Sequence, residues 1–474
     1  MIIENSLKNW NFSEENGIKR SKVSPLSGLN ICQYIQPNQQ SIIEGVKSMQ
    51  DKVSQVQKLG VFRRAEILLE MARLIRESRR EFAESVRLET GKPPELSFGE
   101  VDTAVRFMES LANGCLFNSG SMLPSKNPNK LAMYERYPYG LSALIVSFNT
   151  PLPNYAWKFA PAWLAGNSII LKPSEHNPIS ASLFVKKGIE AGIPSENLGL
   201  LLGDKSCGEI LVRQELDLLS FTGSSKSGKV IQDFSKNFLR KTILELGGSN
   251  PFIVFPDANL SRVVEVIIQS GFSNSGQRCA SASRLLLHKD IFVELLEKLK
   301  NRMKTLMVGT EENCEIGPVI DLAAVRRYEE FLERASSEGR VVRANCTLRG
   351  KNEFVVEPAL VILNRDSKLF EEELFAPIIK VTTFEQDSEA IELANSSIYG
   401  LTAAIWTQSL SRIGRLRNEI NAGVINVNGP THGAEFQFPF GGVKQSGNGT
   451  KEVGLDSLNE YSYGKLITVD FDNS

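Results

Sequence analysis

The sequence predicts an α/β protein built from two doubly wound parallel-sheet domains and a small antiparallel sheet. Three observations carry this expectation. From about residue 139, short apolar runs alternate with helix-length segments, the pattern of parallel strands joined by crossover helices. After Gly248 the alternation starts afresh, which argues for a second α/β domain. Two extended segments, 131–138 and 465–471, lie outside both blocks and are suited to pair with each other. The expected division is 1–118 with 138–246 as the first domain, 247–430 as the second, and 119–137 with 455–474 as a bridging segment.

The elements follow in order. Residues 40–115 read as helical: within 62–86, Ala65, Leu68, Leu69, Ala72, Leu74, Ile75, Phe82 and Val86 recur at helical spacing among Arg and Glu. Gly91-Lys-Pro-Pro94 breaks this block, and 99–116 resumes it. Ser, Pro, Asn and Lys then dominate 119–130, and 131–138 is an extended segment of edge type. Strands are expected at 141–148, 168–172, 198–202, 216–222 and 241–246. The intervening helices are 154–164, stopped by Gly166-Asn167, 179–191, and one starting at Ser224. Beyond Gly248, 251–255 and 283–288 are strands and 260–276 and 290–306 helices, with further α/β material to about 430.

Bulk composition narrows the function. The 474 residues are 42% hydrophobic and 23% charged, which is ordinary for a globular chain with large cores. A net charge of -1 gives no electrostatic reason to expect nucleic acid or an anionic membrane. No apolar secretory segment opens the chain and no apolar run approaches a membrane span. The six cysteines are scattered, with no CxxC, which fits reduced thiols in the cytoplasm and offers neither a disulfide framework nor a metal site.

The chemistry concentrates in a few short runs. Cys279 lies in Gly276-Gln-Arg-Cys279, and a thiol becomes a nucleophile when a neighbouring positive charge, such as Arg278, lowers its pKa. Glu245, in Leu244-Glu-Leu-Gly-Gly248, ends a strand between apolar residues; a buried carboxylate with a raised pKa suits a general base. Both residues also have ordinary structural readings, a small buried thiol and a strand-end carboxylate. Asn149 follows a strand and carries an amide able to donate to an oxyanion, or simply to make a turn. The run Phe221-Thr-Gly-Ser-Ser-Lys-Ser-Gly-Lys229, with Gly223, Ser224 and Gly228, matches GxxxxGK but has Val230 where a phosphate-binding loop needs Ser or Thr. Its remaining physics is a helix N-terminus open to a phosphate, or a tight turn with Ser224 as N-cap. Lys172 and Glu175 end another strand, at the edge where open α/β sheets bind ligands. No chemistry follows unaided from Glu371-Glu-Glu-Leu-Phe-Ala-Pro377 or from Pro439-Phe-Gly-Gly-Val-Lys-Gln-Ser-Gly447.

Taken in order and spacing, these runs, with Ser147-Phe-Asn149-Thr-Pro151, Glu372-Glu-Leu-Phe375 and Pro439-Phe-Gly-Gly442, resemble the aldehyde dehydrogenase superfamily over about residues 20 to 470. The resemblance implies NAD(P)-dependent oxidation of an aldehyde to an acid. Cys279 would attack the aldehyde, Asn149 would hold the oxyanion, and Glu245 would activate water to hydrolyse the thioester. The first domain would bind the cofactor: Lys172 and Glu175 at the adenosine ribose, Gly223, Ser224 and Gly228 at the pyrophosphate turn, Glu373 at the nicotinamide ribose and Phe375 beside the ring. Glu175 would compete with a 2′-phosphate, which favours NAD over NADP. Lys158 matches a family lysine assigned to proton transfer. A homodimer or homotetramer is implied through the bridging segment.

Five positions depart from the family pattern: Ser147-Phe148 in place of Pro-Trp, Thr150 in place of Phe, Ala376 in place of Gly, and Lys226 where an acidic or neutral residue is common. If position 376 needs a positive φ, Ala strains the loop. Arg278 and the loop Gly429-Pro-Thr-His-Gly-Ala-Glu-Phe436 would line the substrate entrance and suit a semialdehyde that carries a carboxylate. The competing readings are a nucleotide hydrolase using 223–229 and a catalytically silent scaffold on the same fold.

Overall fold

Strands that are buried on both faces read as largely apolar runs, and the central strands here do: Leu141–Ile145 and Ser168–Lys172 are buried at every position, with Ser142, Ser168 and Lys172 the polar exceptions. The structure, a computed structural model, describes residues 2–3, 17–117, 120–350, 352–433 and 435–471. The parts of the expected first domain and bridging segment at 1, 4–16, 118–119 and 472–474, and Ala434 of the expected substrate loop, lie outside the described residues.

The first sheet runs Lys241–Glu245, Leu218–Thr222, Leu141–Ile145, Ser168–Lys172, Leu198–Leu200, all parallel. Its first strand in sequence is central, so the winding reverses between Leu141–Ile145 and Leu218–Thr222. A crevice opens outside the carboxyl ends at such a reversal. Helices Pro151–Ala165, Pro178–Glu190, Lys205–Val212 and Ser225–Ser235 make the crossovers. The helical block before them comprises Val61–Glu77, Arg79–Thr90 and Pro94–Gly114 among others. The last of these starts at Pro94 rather than near Gly99, because proline is suited to the first turn of a helix.

The second sheet runs Gly339–Arg343, Ala359–Leu363, Ile378–Phe384, Ala282–His288, Asn250–Val254, Thr402–Trp406, Val424–Val427. Six strands are parallel; Gly339–Arg343 is antiparallel to its neighbour, so the sheet is mixed. Only four residues, 246–249, connect the edge strand of the first sheet to the second. That short link brings the carboxyl end of one sheet close to the other.

A third sheet pairs Ser462–Asp470 with Lys130–Pro138 along nine residues, antiparallel, with Ser121–Leu123 on the other side. Lys130–Pro138 is therefore a central strand and not the edge strand its composition suggested; Pro138, which lacks an N–H, falls at its last position. A hairpin of Gly17–Val23 and Asn30–Pro37 was not expected from its polar sequence. Among the described residues no helix is long and apolar enough to cross a membrane.

Candidate active site

Glu245 is the last residue of its strand and is buried. Neither carboxylate oxygen makes a hydrogen bond of good geometry. Burial first, then the charge of Glu452, raises its pKa well above the usual carboxylate range. Lys158, Lys451 and the Gly442 amide oppose the shift. Behind it lies a buried network: Lys158 Nζ pairs with Glu452 and donates to Ser220 Oγ at 2.9 Å, and Tyr461 donates to the same hydroxyl at 2.9 Å. The run 439–447, which offered no chemistry from sequence, closes over Glu245. Leu246 N donates to Ser446 O at 2.9 Å and Ser446 Oγ to Gly247 O at 2.6 Å. Gly441, at φ +156°, passes so close that a Cβ there would lie 2.7 Å from Glu245 Oε1.

Cys279 follows helix Leu260–Phe272 through a turn in which Asn274, Ser275 and Gly276 all take left-handed φ, at 54°, 57° and 68°. Expected helix 260–276 stops at Phe272 for this reason. Consecutive left-handed residues are strained and are held only by surrounding bonds. Here Ser275 Oγ donates to Gly317 O at 2.8 Å, Asn274 Nδ2 to Asn149 O at 3.1 Å, and Ile320 N to Gln277 Oε1 at 3.0 Å. Asn250 Nδ2 fixes the Cys279 carbonyl at 2.7 Å.

Burial, then the charges of Glu245 and Glu373, pushes the Cys279 thiol up to about 12, while the nearby Cys279 and Ala280 amides pull it down. This reverses the sequence expectation for Arg278. That residue is itself largely desolvated, its Nε makes no hydrogen bond, and burial lowers its pKa. In the protein alone, desolvation outweighs the neighbouring guanidinium. His432 faces Arg278, and burial followed by that charge pushes it down to about 3, so it is neutral.

Asn149 is buried beside this turn. Ser147 Oγ donates to its Oδ1 at 2.6 Å, which fixes the amide plane with its NH2 turned away from Ser147. Ser147 and Thr150 both receive bonds from Asn154 Nδ2 at 3.2 Å, so these two departures build a local brace. Phe148 packs edge-on against Phe375, with ring centroids 5.8 Å apart. The left-handed residue in that loop is Phe375, at φ 56°, and not Ala376, so Ala376 carries no such strain.

The structure thus brings together Cys279, Glu245, Asn149, Glu373 and Phe375. Glu373 Oε1 accepts from Gly248 N at 2.9 Å, and burial pushes its carboxyl up to about 7. The other predicted residues lie along the carboxyl ends of the first sheet. Lys172 is buried, its Nζ donating to Pro173 O at 2.9 Å and Gly203 O at 2.7 Å. Glu175 is exposed on the turn that follows. Ser224 is the N-cap of Ser225–Ser235, accepting from Ser227 N at 3.2 Å, and Gly223 N donates to Glu245 O at 3.1 Å. Gly228 is inside the helix, where a Cβ would meet Leu246, and Lys229 is exposed. A phosphate-binding loop needs that lysine at the helix mouth, so the nucleotide-hydrolase reading is not favoured. Sequence reasoning missed Glu452, Lys92 and Glu100; only the three glycines of 439–447 offered a signal of close approach.

A family model described as the aldehyde dehydrogenase family matches residues 12–467. The chain is 34% identical over 412 residues to 2,5-dioxopentanoate dehydrogenase from Saccharolobus solfataricus, covering 85% of this chain and 86% of the relative. It is 34% identical over 418 residues to 3-sulfolactaldehyde dehydrogenase from Priestia megaterium, covering 86% of each. Betaine aldehyde dehydrogenase from Staphylococcus aureus, solved in complex with NAD+, superposes with a TM-score of 0.92 at 29% identity, over 99% of this chain and 93% of that one.

Proposed function

Because the chain belongs to the aldehyde dehydrogenase family, we propose that Cys279, Asn149 and Glu245 are the catalytic groups of its reaction. The protein is an NAD-dependent aldehyde dehydrogenase. The observation that carries the assignment is the meeting of a thiol, an orientated amide and a buried carboxyl without hydrogen-bond partners at the carboxyl edge of one sheet.

Cys279 gives its proton to the nearby Glu245 carboxylate and its Sγ adds to the aldehyde carbon, and the carbonyl oxygen becomes an oxyanion held by the Asn149 NH2 and the Cys279 N–H. The C–H electron pair then leaves as hydride, and a thioester remains on Cys279. Bound NAD supplies the hydride acceptor. Glu245 takes a proton from water, the resulting hydroxide attacks the thioester, and the acid leaves while the thiolate is restored. The Lys158–Glu452 pair, buried next to Glu245, would receive these protons in turn.

The residues at the first sheet fit the cofactor. A strand at the carboxyl edge leads into a helix of 11 residues capped by Ser224, and a helix N-terminus there is suited to a phosphate. Glycine at 247 leaves space that a Cβ would take from the Glu373 carboxylate. Lys172 and Glu175 would hold the adenosine ribose, Gly223 and Ser224 the pyrophosphate, Glu373 the second ribose, and Phe375 the ring. On this reading 1–118 with 138–246 is the cofactor domain and 247–430 the catalytic domain.

For the substrate we favour an aldehyde carrying a second anionic group. Arg278 adjoins Cys279, is largely desolvated, and has a buried Nε without an acceptor; a guanidinium in that state lacks a counter-ion. Two relatives act, by name, on a carboxylate-bearing and a sulfonate-bearing aldehyde. The six free cysteines fit a cytoplasmic protein, and the third sheet suits self-association into a dimer or tetramer.

The test is formation of reduced nicotinamide from NAD or NADP with alkyl, aromatic and carboxylate-bearing aldehydes. Cys279→Ala should abolish it. Arg278→Gln should raise KM about 10–100-fold for carboxylate-bearing aldehydes, the worth of one charged hydrogen bond, and leave alkyl aldehydes nearly unchanged. Equal loss on both classes would end the anionic-substrate reading. Activity that survives in Cys279→Ala would end the catalytic assignment.

A further inference from the structure

Lys92 sits in the turn between helices Arg79–Thr90 and Pro94–Gly114, far in sequence from every residue assigned above, and is 2% exposed. Its ammonium donates to two acceptors: the carboxylate of Glu100, 7% exposed, and the main-chain carbonyl of Asn149. That carbonyl also accepts from Asn274 Nδ2 at 3.1 Å, the residue that opens the strained turn before Cys279. The Lys92 turn and the nucleophile's turn share a second anchor. Gly91 packs on Pro318, where a Cβ would clash, and Ser275 Oγ bonds Gly317 O and Pro318 O at 2.8 and 3.2 Å. A single carbonyl is therefore clamped from the helical block and from the nucleophile's loop. The side-chain amide of the same residue inherits its position from that clamp.

We propose that Lys92, held by Glu100, is a positioning residue for the oxidation: it fixes the Asn149 backbone so that the side-chain amide meets the oxyanion forming at Cys279. The inference rests on reading Asn149 as the oxyanion donor. A buried amine whose partners are one carboxylate and one carbonyl adjoining the reacting centre has a structural role in part, so the test must separate aiming from folding.

The experiment is a double-mutant cycle on the full-length protein with NAD and its best aldehyde. Lys92→Met should lower kcat about 10–100-fold, in the range seen when an oxyanion donor is lost or misplaced, with KM for NAD nearly unchanged. In an Asn149→Ala background the same change should cost about threefold or less, because residues acting as one unit are not additive. Alkylation of Cys279 by iodoacetamide, which needs no oxyanion hole, should proceed at the wild-type rate in Lys92→Met. If Lys92→Met does not accumulate folded, Glu100→Gln, which keeps a hydrogen-bonding partner for the amine, takes its place in the cycle. Losses that multiply in the double variant would overturn the inference while leaving Asn149 as the donor. Full activity in Asn149→Ala would overturn both.

Discussion

Glu245 is a carboxyl group held away from water with no good hydrogen bond to answer it, and this has a consequence for stability. Its folded pKa lies above that of the unfolded chain. Such a group favours the fold only below the unfolded value; as pH rises toward the folded value that contribution is lost, because the unfolded chain ionises freely and the folded one does not. Glu245→Gln removes the titration and keeps the shape. It should melt about 1–3 °C higher than the wild type at pH 8, with the gap shrinking toward pH 5, in scanning calorimetry. It should also stall after one turnover with an acyl group on Cys279, seen as added mass. A melting temperature that is lower at pH 8 would mean that the carboxylate is stabilised by groups other than those described. Both candidates could be picked out in the sequence, Glu245 because a carboxylate between apolar strand residues is conspicuous and Cys279 chiefly through the resemblance of its run to a known family. The state of the thiol could not. Arg278 suggested a lowered pKa, but desolvation and two neighbouring carboxyls, one from a segment about a hundred residues away, raise it to about 12.

Elements position these groups through close approaches that only glycine permits. At Gly247 a Cβ would run into the Glu373 carboxylate, with the δ carbon 2.6 Å away. Gly247→Ala should therefore push Glu373 off the Gly248 N–H, a bond of 2.9 Å. The displaced end is a mobile carboxylate rather than backbone, so the fold should tolerate the change. The expected result is NAD binding weakened about tenfold by fluorescence titration, the worth of one charged hydrogen bond, with a melting temperature close to the wild type. Unchanged NAD affinity would remove Glu373 from the cofactor's contacts. The strands from 141 to 288 and most helices to 304 were legible to within a few residues because each carries its own period and stop signal; the short helix Lys205–Val212 was not expected. The expected strand 241–246 ends at Glu245, and the helix expected from Ser224 begins at Ser225 with Ser224 as cap. Pro439–Gly447 was opaque for the opposite reason. Gly441 comes against Glu245 and Gly447 against the Leu244 carbonyl, and Ser446 bonds Leu246 and Gly247, all some two hundred residues away, and no local pattern encodes that meeting. The hairpin of Gly17–Val23 and Asn30–Pro37 was missed because Lys19–Lys22 is a polar run and Ile31, Cys32, Tyr34 and Ile35 do not alternate cleanly with polar residues.

At the scale of the molecule, the third sheet is the part whose burial within one chain is incomplete. Strand Ser462–Asp470 forms one edge of it, and most of its residues are exposed. Leu466 is 58% exposed and Met122 65%, with Leu123, Tyr134 and Val469 also on the surface. An open edge strand with apolar side chains on it is a template for pairing with another chain, and a monomer would need charge or proline there to prevent it. Lys465 is the only cation within 462–470, and it lies over the Tyr137 ring at 3.7 Å rather than guarding the edge. The strand pairs sequence-remote segments over nine residues, so it is rigid enough to present this surface as a unit. Two copies meeting here should give a particle of at least twice the 52.5 kDa chain in light scattering. Leu466→Asp should return it to chain mass at micromolar concentration, since an unpaired charge buried in an apolar interface costs several kcal/mol. The circular dichroism of the described fold should survive, because Leu466 contributes little to the cores of the two large sheets. Retention of the larger mass in Leu466→Asp would move the interface away from this sheet, and a monomeric wild type would leave its apolar residues to some other partner.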